Sequence, residues 1–510
     1  MKKIFSFALL SLTLSAAAQE GKLKASRTLI VFFDGLRPDY ITPENMPNLY
    51  ALKKAGVYGT SHHSVFPTVT RVNSSSYATG SYPQQNGLMG NSVFFPKVKK
   101  NGALDTGDAR DLNSIDSAMQ GHLLTSISLG EILQRSGKTM MVFSSGSTGQ
   151  ALLQNHKVNG GAIINPDMIL PASIRDSVIR DLGQPQAYSK DNGPRHEWVA
   201  NALIKYGLVP DGPSVNAVWF SDPDGCAHRD GIGSPAAMEA IKKVDAQLGR
   251  ILQTLDDRDL RKDFNILFST DHGFVTYAGK DNITDLLIRH GLKENKESED
   301  VVVAGGSIHV RDHNKETVRK IVEVLQAEPW IGSIFTRGKN KKSTQGWVPG
   351  TLSFSSIHWD NADRSGDVLA DYNWNDDKNN TGYAGTSMGK GVAGHGSMSP
   401  YEVHIPLIAS GPDFIAATES ALPTSNVDIT PTVLFLQGLK VPSTMDGRVL
   451  RELLAANRVK MKAPVTEHVI STANGAAGSY KVDLQVTKLG DYRYIDFSKV
   501  VRISSSTLSK

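Results

Sequence analysis

The chain has 510 residues, more than one small core can organise and enough for one large domain with additions. With 40% hydrophobic and 21% charged residues it reads as globular, and a net charge of +4 over this length argues against a nucleic-acid-binding surface or a strongly basic membrane face. The single cysteine, Cys226, excludes an internal disulfide and any CxxC zinc ribbon, so a metal site must use histidines and carboxylates.

The N-terminus, "MKKIFSFALLSLTLSAAAQEGK", has a basic start at Lys2 and Lys3, an apolar run from Ile4 to Leu14 and small residues at Ala16–Ala18. This is the pattern of a cleavable signal peptide over 1–18, with a mature chain starting near Gln19 in the periplasm or outside the cell. The apolar run is too short for a stable span, and no later segment is long and apolar enough to cross a membrane.

The mature chain opens with "TLIVFFDG" (28–35), a continuous apolar run ending in Asp-Gly. "MPNLYALKKAG" (46–56) is helical and closes on a glycine C-cap signal. "VFPTVTRVNSSS" (65–76) is polar, with two threonines and no core pattern. "KTMMVFSS" (138–145), "NAVWFSDPDG" (216–225), "FNILFSTDHG" (264–273) and "HIPLIASGPD" (404–413) repeat the first plan. Such runs suit strands buried on both faces of a parallel sheet. In "PAAMEAIKKVDAQLGRILQTLDD" (235–257), Ile241, Val244, Leu248, Ile251, Leu252 and Leu255 form one helical stripe. Strands alternating with helices predict an α/β fold with a mostly parallel sheet flanked by helices.

Between the last two runs the pattern changes. "ITDLLIRHGL", "DVVVAGGSIHV", "KETVRKIVEVLQAE" and "IGSIFTRG" read helix, strand, helix, strand, and the loop-rich "RSGDVLADYNWNDDKNN" follows. Residues 277–390 are therefore expected to be an inserted α+β subdomain overhanging the site. It would divide the catalytic α/β domain into 24–276 and 391–458. After Arg458, alternation around glycine turns predicts a small β appendage over 459–510.

Polar residues fall just past the carboxyl ends of the strands: Asp34, Asp224 with His228, and Asp271 with His272. That edge is where sites form in open α/β sheets. One aspartate after a strand usually caps a helix, but several on one edge with two histidines favour a metal site. His395, in the glycine-rich "GVAGHGSMSP", is a sixth candidate. Two divalent metals need about six such ligands, and zinc accepts His and Asp together. Asp224 and His228 would face one ion if their segment coils into a helical turn.

The motifs "FFDGLRPDY", "FPTVTRVN…ATGSYPQQNGLMGN", "DPDGCAH", "STDHGF", "GHGS" and "VDITPTVLFLQGL" follow one another in this order. In them the chain resembles the alkaline phosphatase superfamily, specifically its nucleotide pyrophosphatase/phosphodiesterase branch, from about Thr28 to Leu450. The resemblance implies an alkaline-phosphatase-like sheet and two zinc ions with a threonine nucleophile between them. Carried over by motif, Thr70 is that nucleophile. Asp34, Thr70, Asp271 and His272 would hold one zinc, and Asp224, His228 and His395 the other. Asn91 matches an asparagine that binds a phosphate oxygen together with the nucleophile's own amide. Thr68 is left as structural, hydrogen-bonding local backbone.

The branch usually has Thr-Phe-Pro-Asn where this chain has Thr70-Arg71-Val72-Asn73. Arg71 either touches phosphate or points outward to solvent or a carboxylate. Cys226 is a small packing residue. Tyr82, Phe94 and Phe95 are either core or a base-stacking surface, and Lys97, Lys99 and Lys100 are a solvated face. His358, Trp359, Tyr372 and Trp374 are candidates to line a substrate mouth and receive no role.

The expected protein is a periplasmic or secreted two-zinc hydrolase of phosphate diesters or nucleotide pyrophosphates, acting on small molecules through a phospho-threonine intermediate. A phosphomonoesterase or phosphonate hydrolase on the same site is the nearest alternative. Superfamily enzymes that favour monoesters carry an added Lys-x-Arg pair after the third strand, whereas 144–161 here holds only Lys157. A non-catalytic zinc-stabilised binding protein has no use for the threonine, and the superfamily's mutases are cytoplasmic and use a serine.

Overall fold

The computed structural model describes residues 22–158, 160–456, 458–475 and 478–504. The signal peptide expected over 1–18 lies outside the described residues.

The apolar runs assemble into one ten-stranded sheet. In chain order its main members are β1 (Arg27–Phe33), β2 (Val57–His63), β3 (Met140–Ser144), β4 (Ala162–Asn165), β5 (Met168–Leu170), β6 (Val215–Phe220), β7 (Phe264–Ser269), β8 (His404–Ser410) and β9 (Thr418–Ser420). They lie side by side as β9-β2-β8-β7-β1-β6-β3-β4-β5, with Thr424–Ser425 also paired to β2. Every residue of β1, β6 and β7 is buried, which is why these strands read as unbroken apolar runs.

The five strands β7-β1-β6-β3-β4 are parallel, as expected. β8 is not. It runs antiparallel to both β7 and β2. An apolar run reports burial on two faces but carries no record of strand direction. The direction is set here by where the chain re-enters the sheet after its excursion from 270 to 403.

Helices cover both faces: α1 (Pro47–Ala55), α2 (Thr70–Thr79), α3 (Asp224–Asp230) and α4 (Pro235–Asp257) are the ones that position the site. In α4 the stripe Ile241, Val244, Leu248, Ile251 and Leu255 is fully buried, each side chain contributing about 1.5–3 kcal/mol. Leu252 lies at the edge of the stripe and is only partly covered. Asp245 of α4 accepts hydrogen bonds from the amides of Asn48 and Leu49, capping the first turn of α1 from outside. At the other end of α1, Gly56 is not a left-handed cap: its φ is −100°. The glycine is there because a Cβ would stand 2.4 Å from the carbonyl oxygen of Ala409 on β8.

Residues 301–372 build a separate five-stranded sheet, with the helix Lys315–Ala327 in the same stretch of chain. Two segments differ from the expected pattern. "DVVVAGGSIHV" is a hairpin of two strands, Val301–Ala304 and Ser307–Val310, turning at Gly305 with φ +62°. "RSGDVLADYNWNDDKNN" holds the strands Val368–Tyr372 and Trp374–Lys378. The second is mostly exposed, so its residues are as polar as a loop's. The chain ends in an antiparallel three-stranded sheet, β10 (Val465–Gly475), β11 (Gly478–Leu489) and β12 (Tyr492–Ser504). No helix among the described residues is long and apolar enough to cross a membrane.

Candidate metal centre

All seven residues read as metal ligands converge at the carboxyl edge of the central sheet. Asp34 directly follows β1, and Asp271 and His272 follow β7. After β6 the chain coils into α3, which sets Asp224 and His228 one turn apart with Asp224 Oδ1 3.3 Å from His228 Nε2. His395 closes the group from the far side, its Nε2 3.4 Å from Asp224 Oδ1. Gly35 permits the convergence. Its φ is +70°, and a Cβ there would press to 3.0 Å against Asp224 Cβ and the Phe274 ring.

Thr70 is the first residue of α2, a helix buried along almost its whole length. Its hydroxyl lies 3.3 Å from His272 Nε2. The run of hydroxyl residues in α2 survives burial because Ser74, Ser75 and Thr79 donate back to the carbonyls of Thr70, Val72 and Ser75. The positive end of the helix dipole therefore falls at Thr70, where an anion is favoured.

The three histidines are oriented alike. His228, His272 and His395 each donate from Nδ1 to a backbone carbonyl, those of Ala393, Gly273 and Thr68. Each Nε2 is thereby left as a lone pair facing the carboxylates, the arrangement expected of metal-binding imidazoles. On the other side, Asp34 Oδ1, Asp224 Oδ1 and Asp271 Oδ2 are buried without a hydrogen-bond partner. The second oxygens of two of them are held: Trp219 Nε1 donates to Asp34 Oδ2 at 2.9 Å, and the Gly35 amide donates to Asp271 Oδ1 at 3.0 Å.

The electrostatics are unbalanced in a way that a cation corrects. Burial, then the charges of Asp271 and Asp224, push the Asp34 carboxyl well above its ordinary range. Burial also opposes the charge on Asp224, but His228 and His395 outweigh it and hold that carboxyl well below. Burial and the neighbouring His272 lower His395 to about 4, so it is a neutral nitrogen donor at ordinary pH. The donors fall into two overlapping groups, Asp224 with His228 and His395, and Asp34 with Asp224 and His272. Three carboxylates and a threonine alkoxide would together balance two divalent ions. The donor set therefore fits a pair of metals.

Around this centre several assignments gain detail. Asn91 Oδ1 accepts the Arg71 amide at 3.0 Å, which ties Asn91 to the first turn of α2. The Arg71 side chain is 20% exposed and lies 3.8 Å from Asp105. Thr68 is structural, but its partners are not local. Its hydroxyl reaches Ser397 O at 2.8 Å and Glu402 Oε2 at 3.1 Å, and it accepts the Gly396 amide. Glu402 accepts in addition from the amides of Gly396 and Ser397 and from the Ser397 hydroxyl. These bonds latch the His395 loop.

Glu402 and Trp219 escaped the sequence reading. A carboxylate satisfied by backbone amides leaves no motif, and a Trp inside an apolar strand looks like core. Cys226 is a buried packing residue against Ala237 and Ala240, its thiol pushed up to about 11 by burial and Asp222. Lys97, Lys99 and Lys100 are exposed. Tyr82 and Phe95 are buried, while Phe94 is half-buried and lines a cavity of about 890 Å³ to which none of the seven ligands contributes. His358 and Trp359 do not line a mouth: His358 stacks on Tyr82 at 4.0 Å, and Trp359 is fully buried, donating to Met89 O. Tyr372 packs by Tyr277, and Trp374 Nε1 donates to Ser498 O.

The family model of type I phosphodiesterase / nucleotide pyrophosphatase matches residues 28–379. The chain belongs to this family. The match contains Asp34, Thr70, Asp224, His228, Asp271 and His272, and His395 follows it. Among similar proteins is ectonucleotide pyrophosphatase/phosphodiesterase family member 1 of Rattus norvegicus, 25% identical over 267 residues. That alignment spans 51% of this chain but only about a quarter of the relative's length. The murine ectonucleotide pyrophosphatase/phosphodiesterase 5, solved as an inactive variant in complex with AMP, covers 84% of this chain and 100% of its own, at 18% identity and a TM-score of 0.60. A mutant of alkaline phosphatase PafA covers 85% of this chain and 100% of its own, at 15% identity and a TM-score of 0.62. Both have the same fold.

Proposed function

We propose that this chain is a two-zinc hydrolase of phosphate diesters or nucleotide pyrophosphates, acting through a phospho-threonine intermediate on Thr70 in the periplasm or outside the cell. The observation that carries the reading is the Thr70 hydroxyl at a helix N-terminus, 3.3 Å from an inward-facing His272 Nε2, in a pit of buried, partnerless carboxylate oxygens. Asp34, Thr70, Asp271 and His272 would hold one ion, and Asp224, His228 and His395 the other. Bound zinc supplies two things: it lowers the pKa of a coordinated hydroxyl, and it neutralises charge on phosphoryl oxygens.

Thr70 Oγ1 loses its proton to solvent and attacks phosphorus in line with the leaving oxygen, whose P–O bond breaks. Asn91, whose Oδ1 is occupied by the Arg71 amide, keeps its NH₂ free to donate to a non-bridging oxygen. Water then attacks phosphorus from the vacated side and releases Thr70. Trp219 and the three backbone carbonyls keep Asp34 and the imidazoles in register throughout. Nucleotide substrates are supported by the murine relative's complex with AMP.

A monoester needs a cation for its third charged oxygen. Lys157 is unsuited to that role, because it donates to Gly121 O and pairs with Asp116. Arg71, next to Thr70 and tied through its amide to Asn91, is the cation that a monoesterase reading would use. The test is kcat/KM on a nitrophenyl nucleotide diester, a nitrophenyl monoester and a phosphonate, with metal content measured in the same preparation. Two zinc ions per chain and diester preference are expected. Preference for the monoester, or full activity with one ion or none, would overturn the proposal.

A further inference from the structure

A third cluster of metal-ligating side chains lies outside the candidate centre, at the junction of the central sheet with the C-terminal sheet. His63 on β2 and His404 on β8 are direct cross-strand partners. Their rings therefore emerge on one face of the sheet, with centroids 5.0 Å apart. Asp496 of β12 comes down on this pair from the other sheet. One donor atom from each of the three residues lies within 4.8 Å of the others.

The hydrogen bonding around His63 is one proton short for a neutral ring. Its Nδ1 stands 2.9 Å from the carbonyl oxygen of Thr424, and its Nε2 stands 3.0 Å from Asp496 Oδ1. Both partners are acceptors only. A bridging proton, on the ring or on the carboxyl, or a metal ion must occupy the Nε2–Oδ1 side. The Nδ1–H bond to a carbonyl is the outer-partner arrangement of metal-binding histidines, and the three ligands of the candidate centre show it too. Asp496 is similarly braced, its Oδ2 accepting from Gln485 and Thr487 while Oδ1 faces His63. His404 has no hydrogen bond to either ring nitrogen among the described residues and is partly exposed, which leaves an entry path.

We propose that His63, His404 and Asp496 form a further site for a divalent transition metal such as zinc, one that clips β12 to β2 and β8. Two His and one Asp are a common ligand set for zinc, with bonds of about 2.0–2.2 Å and donor atoms therefore about 3–4 Å apart. His63 and Asp496 already meet that spacing, and a shift of about an ångström brings in His404. A fourth position is left to water. β2 runs directly into the loop that carries Thr70, and β8 begins two residues after Glu402. The clip therefore sits behind both halves of the candidate centre without contributing to it.

The test uses the full mature chain carrying His272→Ala and His228→Ala, which removes a nitrogen donor from each half of the candidate centre. The protein is stripped with chelator, dialysed and titrated with Zn²⁺, and separately with Co²⁺ to read the ligand-field spectrum. One tightly held ion per chain and a rise in melting temperature on its addition are expected. Both should be lost when His404→Ala or Asp496→Asn is added, and kept with His468→Ala, which alters an exposed His–Asp pair on β10 and β11. His404→Gln keeps the bulk of the side chain and serves where His404→Ala disturbs the sheet. Absence of the ion in the starting variant would overturn the proposal and leave His63 hydrogen-bonded to Asp496 with no metal between them. Uptake that survives His404→Gln would overturn it equally, by placing the ion on the remaining ligands of the candidate centre.

Discussion

Thr68→Val separates the two threonines of "PTVT". Valine keeps the shape and deletes one hydroxyl. That hydroxyl is buried, lies within reach of Ser397 O and Glu402 Oε2, and accepts the Gly396 amide. Without it the Ser397 carbonyl loses a donor, while Gly396 N keeps its bond to Glu402. The cost is one to two hydrogen bonds, about 1–3 kcal/mol. The affected residues immediately follow His395, so most of this cost falls on the position of a ligand. Loss of such outer support typically weakens metal binding about 10–100-fold, an energy of the same size. The assay is zinc reactivation of the stripped enzyme, followed by hydrolysis of a nitrophenyl nucleotide diester. Thr68→Val should reach a near-normal rate at saturating zinc, with its midpoint moved 10–100-fold upward, on the order of the estimate above. Thr70→Ala should stay orders of magnitude down at every zinc concentration. An unchanged zinc midpoint in Thr68→Val, or a loss at saturating zinc as deep as that of Thr70→Ala, would refute the reasoning.

Trp219→Phe removes the donor to Asp34 Oδ2 and should weaken metal binding about 10–100-fold with little change in fold, read by the same reactivation curve. Arg71→Ala should leave the diester-to-monoester ratio of kcat/KM unmoved if Arg71 serves only Asp105, whereas a fall in monoester turnover alone would assign it to the third phosphoryl oxygen. His62 is fully buried between Thr424 Oγ1 and Asn426 Oδ1, and burial lowers its pKa from 6.5 to about 3. Below pH 6.5 the unfolded chain binds a proton that the folded chain refuses, so this contribution to stability is full above pH 6.5 and is lost progressively toward pH 3. His62→Gln should flatten the fall of the denaturation midpoint over that window, and parallel curves for the two proteins would show that His62 does not titrate as described.

The central sheet was legible because its strands are short, apolar and closed by Asp or Gly. The convergence of the candidate ligands was legible because the chemistry sought is confined to a few residue types at strand ends. Direction was not legible. The run in β8 looks the same whether parallel or antiparallel, since both faces are buried either way. The hairpin at Gly305 was hidden because two short strands and their turn have the length of one strand. The support of the centre was hidden for a different reason. Glu402 and Thr68 act through backbone amides and carbonyls, which every residue possesses, so neither the amides of Gly396 and Ser397 on Glu402 nor the Ser397 carbonyl 329 residues from Thr68 leave a trace in local pattern. His63 and His404 become a pair only through the register of β2 and β8.

The bond from His395 to the carbonyl of Thr68 joins positions 327 residues apart. A ribosome adding about 5–20 residues per second needs roughly 15–65 s to cover that distance. Throughout that interval Asp34 and Thr70, joined part-way by the Asp224–His228 turn, exist in a nascent chain that lacks His395, the residue that closes the group. Metal taken up early would meet an incomplete, exchangeable set of donors. Any ion that the completed centre takes up would therefore come from the pool surrounding the chain when that last contact is made, and its identity would record that compartment.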